Sequence, residues 1–168
     1  KEKNAQYIYT PMEFNFSKMC NIGAAAANGE FLLFLNDDTE VFRHEWLERM
    51  VGHASQKHVG AVGAKLLYPD SNVIQHIGIT NLEIGPSHSQ IGFSDNDIYY
   101  FGRNKIEYNW LAVTAACLVV QKSKFEQVGG FEEELKIGYN DVDLCFKLSE
   151  CGWYNVVRND VTLYHYES

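Results

Sequence analysis

The feature that most constrains the fold is an apolar run that ends in a group of polar and acidic side chains. Residues Phe31–Leu35 are all large and apolar, and Asn36, Asp37 and Asp38 follow directly. An apolar run without alternation predicts a strand buried on both faces, as at the centre of a parallel α/β sheet. Such sheets bind ligands where loops leave the carboxyl ends of the strands. The run therefore predicts an α/β fold with a polar site directly after its central strand.

The chemistry of this triplet admits two interpretations. Three oxygen-bearing side chains in a row suit a hard cation such as Mg²⁺ or Mn²⁺, which in turn can hold a diphosphate. The alternative is a polar turn that leads into the next helix, because Asn and Asp are common in turns. The triplet alone leaves both open.

Composition limits the partners that the chain can bind. Its 168 residues fit one domain, and the net charge of −8 argues against a protein that binds nucleic acid through broad electrostatics. An anionic substrate would need a metal to bridge it to such a surface. The 4 cysteines lack zinc-site spacing, so we expect reduced thiols and a cytoplasmic protein.

Hydrophobic periodicity predicts alternating helices and strands, which is typical of α/β architecture. Helices are expected from Ser17 to Ala27, over His44–Ala54, from Ser123 to Val128 and over Asn140–Cys151. Strands are expected over Tyr7–Tyr9, Phe31–Leu35, Val59–Tyr68, Ile74–Leu82, Trp110–Val120, Tyr154–Val157 and Val161–His165, with a polar loop over Gly85–Asn104.

A set of short motifs occurs along the chain in a characteristic order: Asn15–Ser17, Asn21–Gly23, Gly29–Asp38, Gly129–Phe131, Asn140–Cys145 and Tyr164–Ser168. Together they resemble glycosyltransferase family 2, and the resemblance covers nearly the whole chain. It implies a GT-A-like fold, a mixed sheet flanked by helices that binds nucleotide sugars. It also implies transfer of a sugar from a nucleoside diphosphate sugar to an acceptor hydroxyl, with inversion.

The resemblance implies a metal site at Asp38. Asn36, Asp37 and Asp38 occupy the place of the family's D-x-D motif, so Asp38 is the expected ligand of Mn²⁺ or Mg²⁺. In related enzymes a histidine near the end of the domain completes the site, which points to His165 as the second ligand. Asn36 and Asp37 are expected on the substrate side, with Asn36 in place of the family's first acid.

The resemblance also implies an acceptor side. Asp141 is the expected general base that takes the proton of the attacking hydroxyl, and Asn140 replaces the first acid of that pair. Trp110 is expected to stack on a sugar. Two alternatives stay open: Asn140 and Asp143 could simply cap a helix, and Trp110 could be a core residue.

Histidines outside these motifs are expected to have no part in the chemistry. His76 and His88 are interpreted as structural or solvent-facing side chains. Likewise, His165 could be a packed histidine at the end of a strand.

One departure from the family pattern concerns the start of the chain. Family members begin with a βαβ nucleotide-binding half, and this sequence shows neither its first strand nor the turn that ends it. We therefore expect residues 1–168 to form a single partial domain that holds the metal-binding and acceptor-side portion. An exposed sheet edge is then expected, which could support self-association.

The leading hypothesis is a glycosyltransferase of polysaccharide or cell-surface glycan synthesis. It would be cytoplasmic, and peripheral to the membrane through segments outside this chain. The donor would be a UDP-, GDP- or dTDP-sugar and the acceptor a glycan or lipid-linked molecule. The alternative is a sugar-binding or scaffold module of the same fold that has lost its chemistry. A nucleotidyltransferase is disfavoured, because no Gly-rich phosphate loop with a partner lysine is present.

Overall fold

The structure, a computed structural model, describes residues 6–167 and contains both strands and helices. The strands are β1 (Phe31–Leu35), β2 (Thr39–Val41), β3 (Val59–Leu67), β4 (Ile74–His76), β5 (Ile79–Leu82), β6 (Gly85–His88), β7 (Tyr108–Trp110), β8 (Cys117–Gln121) and β9 (Tyr154–His165). The α-helices are α1 (Phe16–Ala26), α2 (Trp46–Ala54), α3 (Lys122–Gln127) and α4 (Asn140–Glu150), with a 3₁₀ turn at Tyr100–Gly102.

The main sheet is mixed and antiparallel for the most part. Its strands run in the order β1-β8-β3-β9-β2, while β4 pairs with β3 and β7 pairs with β9. Among the residues described, β3 and β9 form the parallel pair, and the other pairs are antiparallel. Strands β5 and β6 form a separate antiparallel hairpin. The predicted mixed sheet is confirmed, but the prediction of a central parallel strand at Phe31–Leu35 is wrong.

Strand β1 lies at one end of this sheet. Within residues 6–167 it pairs on one side only, with β8. Leu32 and Phe34 are buried, whereas Leu33 and Leu35 are 37% and 41% exposed. An apolar run shows that both faces of a strand are hydrophobic. It does not show which neighbouring elements cover each face, so the position of the strand in the sheet cannot be inferred from it. Self-association through this edge stays a prediction.

Two predicted strands are each divided in the structure. The predicted strand Trp110–Val120 becomes β7 and β8, joined by residues 111–116, because the two halves pair with different strands. The predicted strand Ile74–Leu82 becomes β4 and β5, which are separated by Gly78 at φ +130°. Both segments contain many apolar residues because they pass through the core. Such a composition does not distinguish a buried connection between two strands from one continuous strand.

Other boundaries also differ from the sequence-based prediction. The two short strands expected near the end of the chain form one strand, β9, whose register against β3 shifts near Ala64. No strand forms at Tyr7–Tyr9, whose side chains are exposed. Strands β2 and β6 were not predicted, because both are short and half-polar.

Helices cover both faces of the sheet. One buried cluster lies between the sheet and helices α1, α3 and α4, and includes Phe34, Phe125, Phe131 and Leu144. The other lies beneath α2 and includes Met50. No helix among the described residues is both long enough and apolar enough to cross a membrane. The cysteines are free thiols, and burial raises the pKa of Cys117 to about 12.

Helix α1 has its N-cap two residues earlier than predicted. Its N-cap is Asn15, whose side chain accepts a hydrogen bond from the Lys18 N–H at 2.9 Å. Ser17, the predicted cap, is buried inside the helix and donates to the Leu135 carbonyl at 2.6 Å. The hydroxyl therefore ties α1 to the segment that leads into α4.

Asn21 makes a second tie between α1 and that segment. Its Nδ2 donates to the Phe131 carbonyl at 2.9 Å, and its Oδ1 accepts the Phe131 N–H at 3.0 Å. The neighbouring Gly130 has φ +71°, and a Cβ at this position would lie 2.8 Å from the Asn21 Oδ1. The motifs at Asn21 and Gly129–Phe131 thus form one contact between α1 and the segment that leads into α4.

This contact yields a paired test of stability. Gly129 and Gly130 both have a left-handed backbone, but a Cβ at Gly129 meets nothing within 4 Å. We expect Gly129→Ala to cost about 1 kcal/mol through backbone strain alone. Gly130→Ala should cost about 3 kcal/mol, because it also displaces Asn21 from its two hydrogen bonds. Urea denaturation of both variants measures the difference, and equal losses would contradict the proposed role of Asn21.

Candidate active site

The pairing of β2 with β9 brings together the two predicted metal ligands. Thr39 lies opposite His165 in this ladder, and the Tyr166 N–H donates to the Asp38 carbonyl at 2.9 Å. As a result, the Asp38 Oδ1 lies 3.2 Å from the His165 Nε2. Two residues that are far apart in sequence therefore face the same point at the end of β1.

The hydrogen bonds of His165 fix which ring nitrogen faces Asp38. The His165 Nδ1 lies 2.7 Å from the Gln75 Oε1, and the Gln75 Nε2 donates to the His165 carbonyl at 3.1 Å. A carbonyl oxygen can only accept, so the ring proton is on Nδ1. Nε2 is then the nitrogen that faces Asp38, and it also lies 3.2 Å from the Asn36 Nδ2. Gln75 is buried and thus orients the ring in the way typical of metal-binding histidines.

The donor atoms present suit a divalent metal. A carboxylate oxygen and an imidazole nitrogen converge, and their side chains are 18% and 12% exposed. This combination fits Mn²⁺, which accepts both oxygen and imidazole ligands. Residues 6–167 contain no group of three or more His, Cys, Asp or Glu side chains arranged to hold a metal. Further ligands would then come from substrate phosphates and water, as is common for such ions.

Asp37 differs from its two neighbours in position. Its side chain is exposed, whereas those of Asn36 and Asp38 are partly buried at the end of β1. The structure thus places two of the three residues of the triplet at the candidate metal site. The predicted substrate contact of Asp37 stays a prediction.

The predicted base, Asp141, is held by backbone groups at the start of α4. Its Oδ1 accepts the Val142 N–H at 2.8 Å and its Oδ2 accepts the Ala115 N–H at 3.1 Å. The buried Asn140 accepts the Asp141 N–H at 2.8 Å through its own side chain. The carboxylate therefore has a fixed orientation, and it lines a cavity of about 280 Å³ beside the β5–β6 hairpin.

The capping alternative for this segment is wrong. The N-cap of α4 is Tyr139, which has a left-handed backbone at φ 62° and makes no side-chain cap bond. Asn140 is already the first residue of the helix. Asp143 forms an ion pair with Lys147 one turn later, at 2.7 Å. This pair accounts for Asp143 and leaves Asp141 as the carboxylate that lines the cavity.

Trp110 lies in the core and is 8% exposed. Its indole packs directly over Gly78, where a Cβ would come within 2.1 Å of the ring. The core-packing alternative therefore describes its position. Sugar stacking by Trp110 stays a prediction.

The sequence analysis missed His88 as a residue of this site. His88 lines the cavity that contains Asp141, and it also lines a second cavity of about 170 Å³ that contains His165 and Gln75. His76 is fully buried and contacts His88 through their Nδ1 atoms at 3.0 Å. A sequence signal existed, since two adjacent polar residues, Gln75 and His76, stand between the apolar residues Ile74 and Ile77.

Residues 1–129 match the profile of Glycosyl transferase family 2. The chain belongs to this family. The match includes α1, β1 and the polar triplet that follows β1, so the resemblance inferred from the motifs is confirmed.

Two curated relatives are much longer than this chain. An uncharacterised protein of Sinorhizobium fredii, y4gI, is 42% identical over 170 residues, covering 99% of this chain and 18% of the relative. The O-antigen biosynthesis protein RfbC of Myxococcus xanthus is 37% identical over 164 residues, covering 92% of this chain and 12% of the relative. The chain thus spans less than a fifth of either relative.

A solved glycosyltransferase has the same fold. The crystal structure of GalNAc-T7 with UDP, GalNAc and Mn²⁺ aligns with a TM-score of 0.67 at 14% identity. The alignment covers 91% of this chain and 30% of that one. The predicted GT-A-like fold is confirmed, and the matched region is part of a longer chain in that protein.

The role of Gln75 can be tested through metal affinity. Gln75→Leu keeps the side-chain volume but removes the acceptor that holds the His165 ring. We expect the affinity for Mn²⁺ to fall by about 10- to 100-fold, as for other groups that orient metal-binding histidines. Calorimetric titration of Mn²⁺ into the polypeptide that contains this chain measures the change. Gln127→Leu, an exposed position on α3, serves as the control. Equal affinities for the two variants would contradict the assignment.

Proposed function

We propose that this chain carries the metal-binding and acceptor-side part of an inverting glycosyltransferase. The observation that carries the proposal is the pairing of Asp38 with His165 at 3.2 Å, beside a cavity in which Asp141 has a fixed orientation. The turn after β1 and the end of β9 supply the proposed metal ligands, Asp38 and His165. The first turn of α4 supplies the proposed base, Asp141. Family membership supports the same reaction class.

The reaction requires one bond to form and one to break at the anomeric carbon. The acceptor oxygen bonds to this carbon while the bond from the carbon to the diphosphate oxygen breaks, and the diphosphate leaves with the electron pair. The acceptor's proton passes to the Asp141 carboxylate. A divalent metal, when bound, neutralises charge on the departing diphosphate. Attack opposite the leaving group inverts the anomeric centre.

The residues around the metal site act by orientation. Gln75 keeps the Nε2 side of the His165 ring directed at Asp38, and Asn36 lies against the same nitrogen. In our proposal Asn36 and Asp37 contact the nucleotide sugar, while Asn140 holds the backbone of Asp141. None of these groups needs to exchange a proton during the reaction.

The proposed substrates follow from the family and its neighbours. The donor is a UDP-, GDP- or dTDP-sugar, and Mn²⁺ is preferred over Mg²⁺ because imidazole is a ligand. The structure of GalNAc-T7 with UDP and Mn²⁺ supports this assignment. The acceptor is a glycan or lipid-linked molecule in polysaccharide synthesis, in support of which RfbC is described as an O-antigen biosynthesis protein. The proposed location is cytoplasmic and peripheral to the membrane, through segments outside this chain.

The donor site can be tested by titrating UDP, GDP and dTDP with Mn²⁺ into the polypeptide that contains this chain. We expect one nucleotide to bind, and we expect binding to fall at least tenfold without metal or in Asp38→Ala. Glu45→Ala, an exposed acid outside the site, is the control. Metal-dependent binding that is unchanged in Asp38→Ala would contradict the proposed ligand.

The base can be tested with a pair of isosteric variants on α4. Asp141→Asn should reduce the turnover of sugar transfer by about 10² to 10⁴-fold, because the proton acceptor is lost. Nucleotide binding should be unchanged. Asp143→Asn removes only the ion pair with Lys147 and should retain turnover. Radiolabelled sugar transfer measures both, and equal turnover in the two variants would reject Asp141 as the base.

One observation favours the alternative of an impaired sugar-binding module. The Asn36 Nδ2 lies 3.2 Å from the same His165 nitrogen that would bind the metal, so this amide competes with the metal for that nitrogen. If this contact persists with nucleotide present, the metal site cannot form. The Asp38→Ala titration distinguishes the two functions, since a module without metal chemistry would show no metal-dependent nucleotide binding in either protein.

A further inference from the structure

The contacts of His76 determine the proton positions on both rings of the histidine pair. The Thr114 N–H donates to the His76 Nε2 at 3.4 Å, so this nitrogen is an acceptor. The proton of the neutral His76 ring is then on Nδ1, which faces the His88 Nδ1 at 3.0 Å. His88 must accept through its Nδ1. Its own proton is therefore on Nε2.

Burial keeps the pair neutral. The pKa of the fully buried His76 is well below its ordinary value because of desolvation, and nearby His88 and His165 lower it further. Burial also lowers the pKa of His88, although Asp141, Glu167 and the Gln75 carbonyl oppose this shift. At neutral pH, His88 is thus a neutral ring with one N–H, on Nε2, and a ligand hydroxyl in the cavity would share this proton with the Gln75 carbonyl.

The β5–β6 hairpin positions His88 between the two halves of the site. His88 pairs with Ile79 in the hairpin, and the Ser89 N–H donates to the Gly78 carbonyl at 2.9 Å. Trp110 packs over Gly78 and supports the base of the hairpin. His88 consequently borders both the cavity of Asp141 and the cavity of His165.

We propose that His88 binds the acceptor, by donating a hydrogen bond from Nε2 to a hydroxyl of an acceptor sugar in the cavity that it shares with Asp141. This proposal rests on the proposed function, because it assumes that Asp141 is the base and that the attacking hydroxyl enters this cavity. The ligand class is a single sugar residue at the end of the acceptor.

The cavity itself supports this ligand class. Its volume of about 280 Å³ is close to the lower limit of roughly 300 Å³ for small-ligand pockets, which suits one sugar ring. Tyr139 is 62% exposed at its rim and offers an aromatic face, while Asp141 and His88 offer an acceptor and a donor. Sugars require this combination, because one face of the ring is apolar and its edge is hydroxylated.

Two substitutions of His88 test the roles of its two ring nitrogens separately. In His88→Asn the amide reaches the δ position, so the hydrogen bond from the buried His76 is kept while the donor at the ε position is lost. In His88→Gln the amide reaches the ε position, so the donor is kept while His76 loses its acceptor. Loss of sugar binding and loss of stability should therefore appear in different variants.

The test measures two reactions of the polypeptide that contains this chain. One is hydrolysis of the nucleotide sugar, which needs the donor only. The other is transfer to methyl glycosides of glucose, galactose, mannose, rhamnose and N-acetylglucosamine. For His88→Asn we expect the acceptor KM to rise by about 10- to 100-fold, with hydrolysis within about twofold of wild type and the melting temperature retained. His88→Gln should keep a lower KM than His88→Asn but melt earlier.

Each other outcome overturns the proposal in a distinguishable way. An equal fall of hydrolysis and transfer in His88→Asn would indicate that His88 acts in donor binding or in folding, and not in acceptor binding. Hydrolysis by wild type without transfer to any glycoside would reject a sugar as the ligand of this cavity. A wild type with neither reaction would reject the proposed function, and the inference with it. His44→Asn, an exposed histidine away from the site, is the control and should match wild type.

Discussion

The structure depends on one strand, β9. It is 12 residues long, pairs in parallel with β3, and accepts β2 and β7 as antiparallel neighbours along its length. Ladder hydrogen bonds fix the register of each pair, and a slip of one residue would turn every side chain to the opposite face. Because His165 is the last residue of β9, its position is set by the pairing of this end of β9 with β3 and β2.

Buried polar side chains then orient the residues of the candidate site. Gln75, His76 and Asn140 are all buried, and each has a hydrogen-bond partner that belongs to the site or lies beside it. An unpartnered polar group in the core costs about 1–3 kcal/mol, so each partner holds its group in one orientation. Gln75 orients His165, His76 orients His88, and Asn140 binds the backbone of Asp141. The core of this fold thus serves as the support for its surface chemistry.

The predictions from the sequence succeeded where local composition decides the outcome. The α/β class, the family and the strand before Asn36 are confirmed, because each depends on hydrophobic runs or ordered motifs. The predictions failed where pairing decides. The strands predicted over Ile74–Leu82 and Trp110–Val120 are divided, since no local signal distinguishes a crossing segment from a strand. His88 was missed because its proposed role depends on its contact with the buried ring of His76.

The sequence by itself determined the kinds of side chain available: a triplet with carboxylates after an apolar strand, an acid at the start of a helix, and a histidine near the end of the chain. Only the tertiary structure decided which of them meet. Asp38 reaches His165 because a three-residue strand, β2, pairs with β9, and such a strand is too short to be recognised from its own residues. Contacts between residues distant in sequence are set by backbone pairing, and pairing is a property of two segments at once.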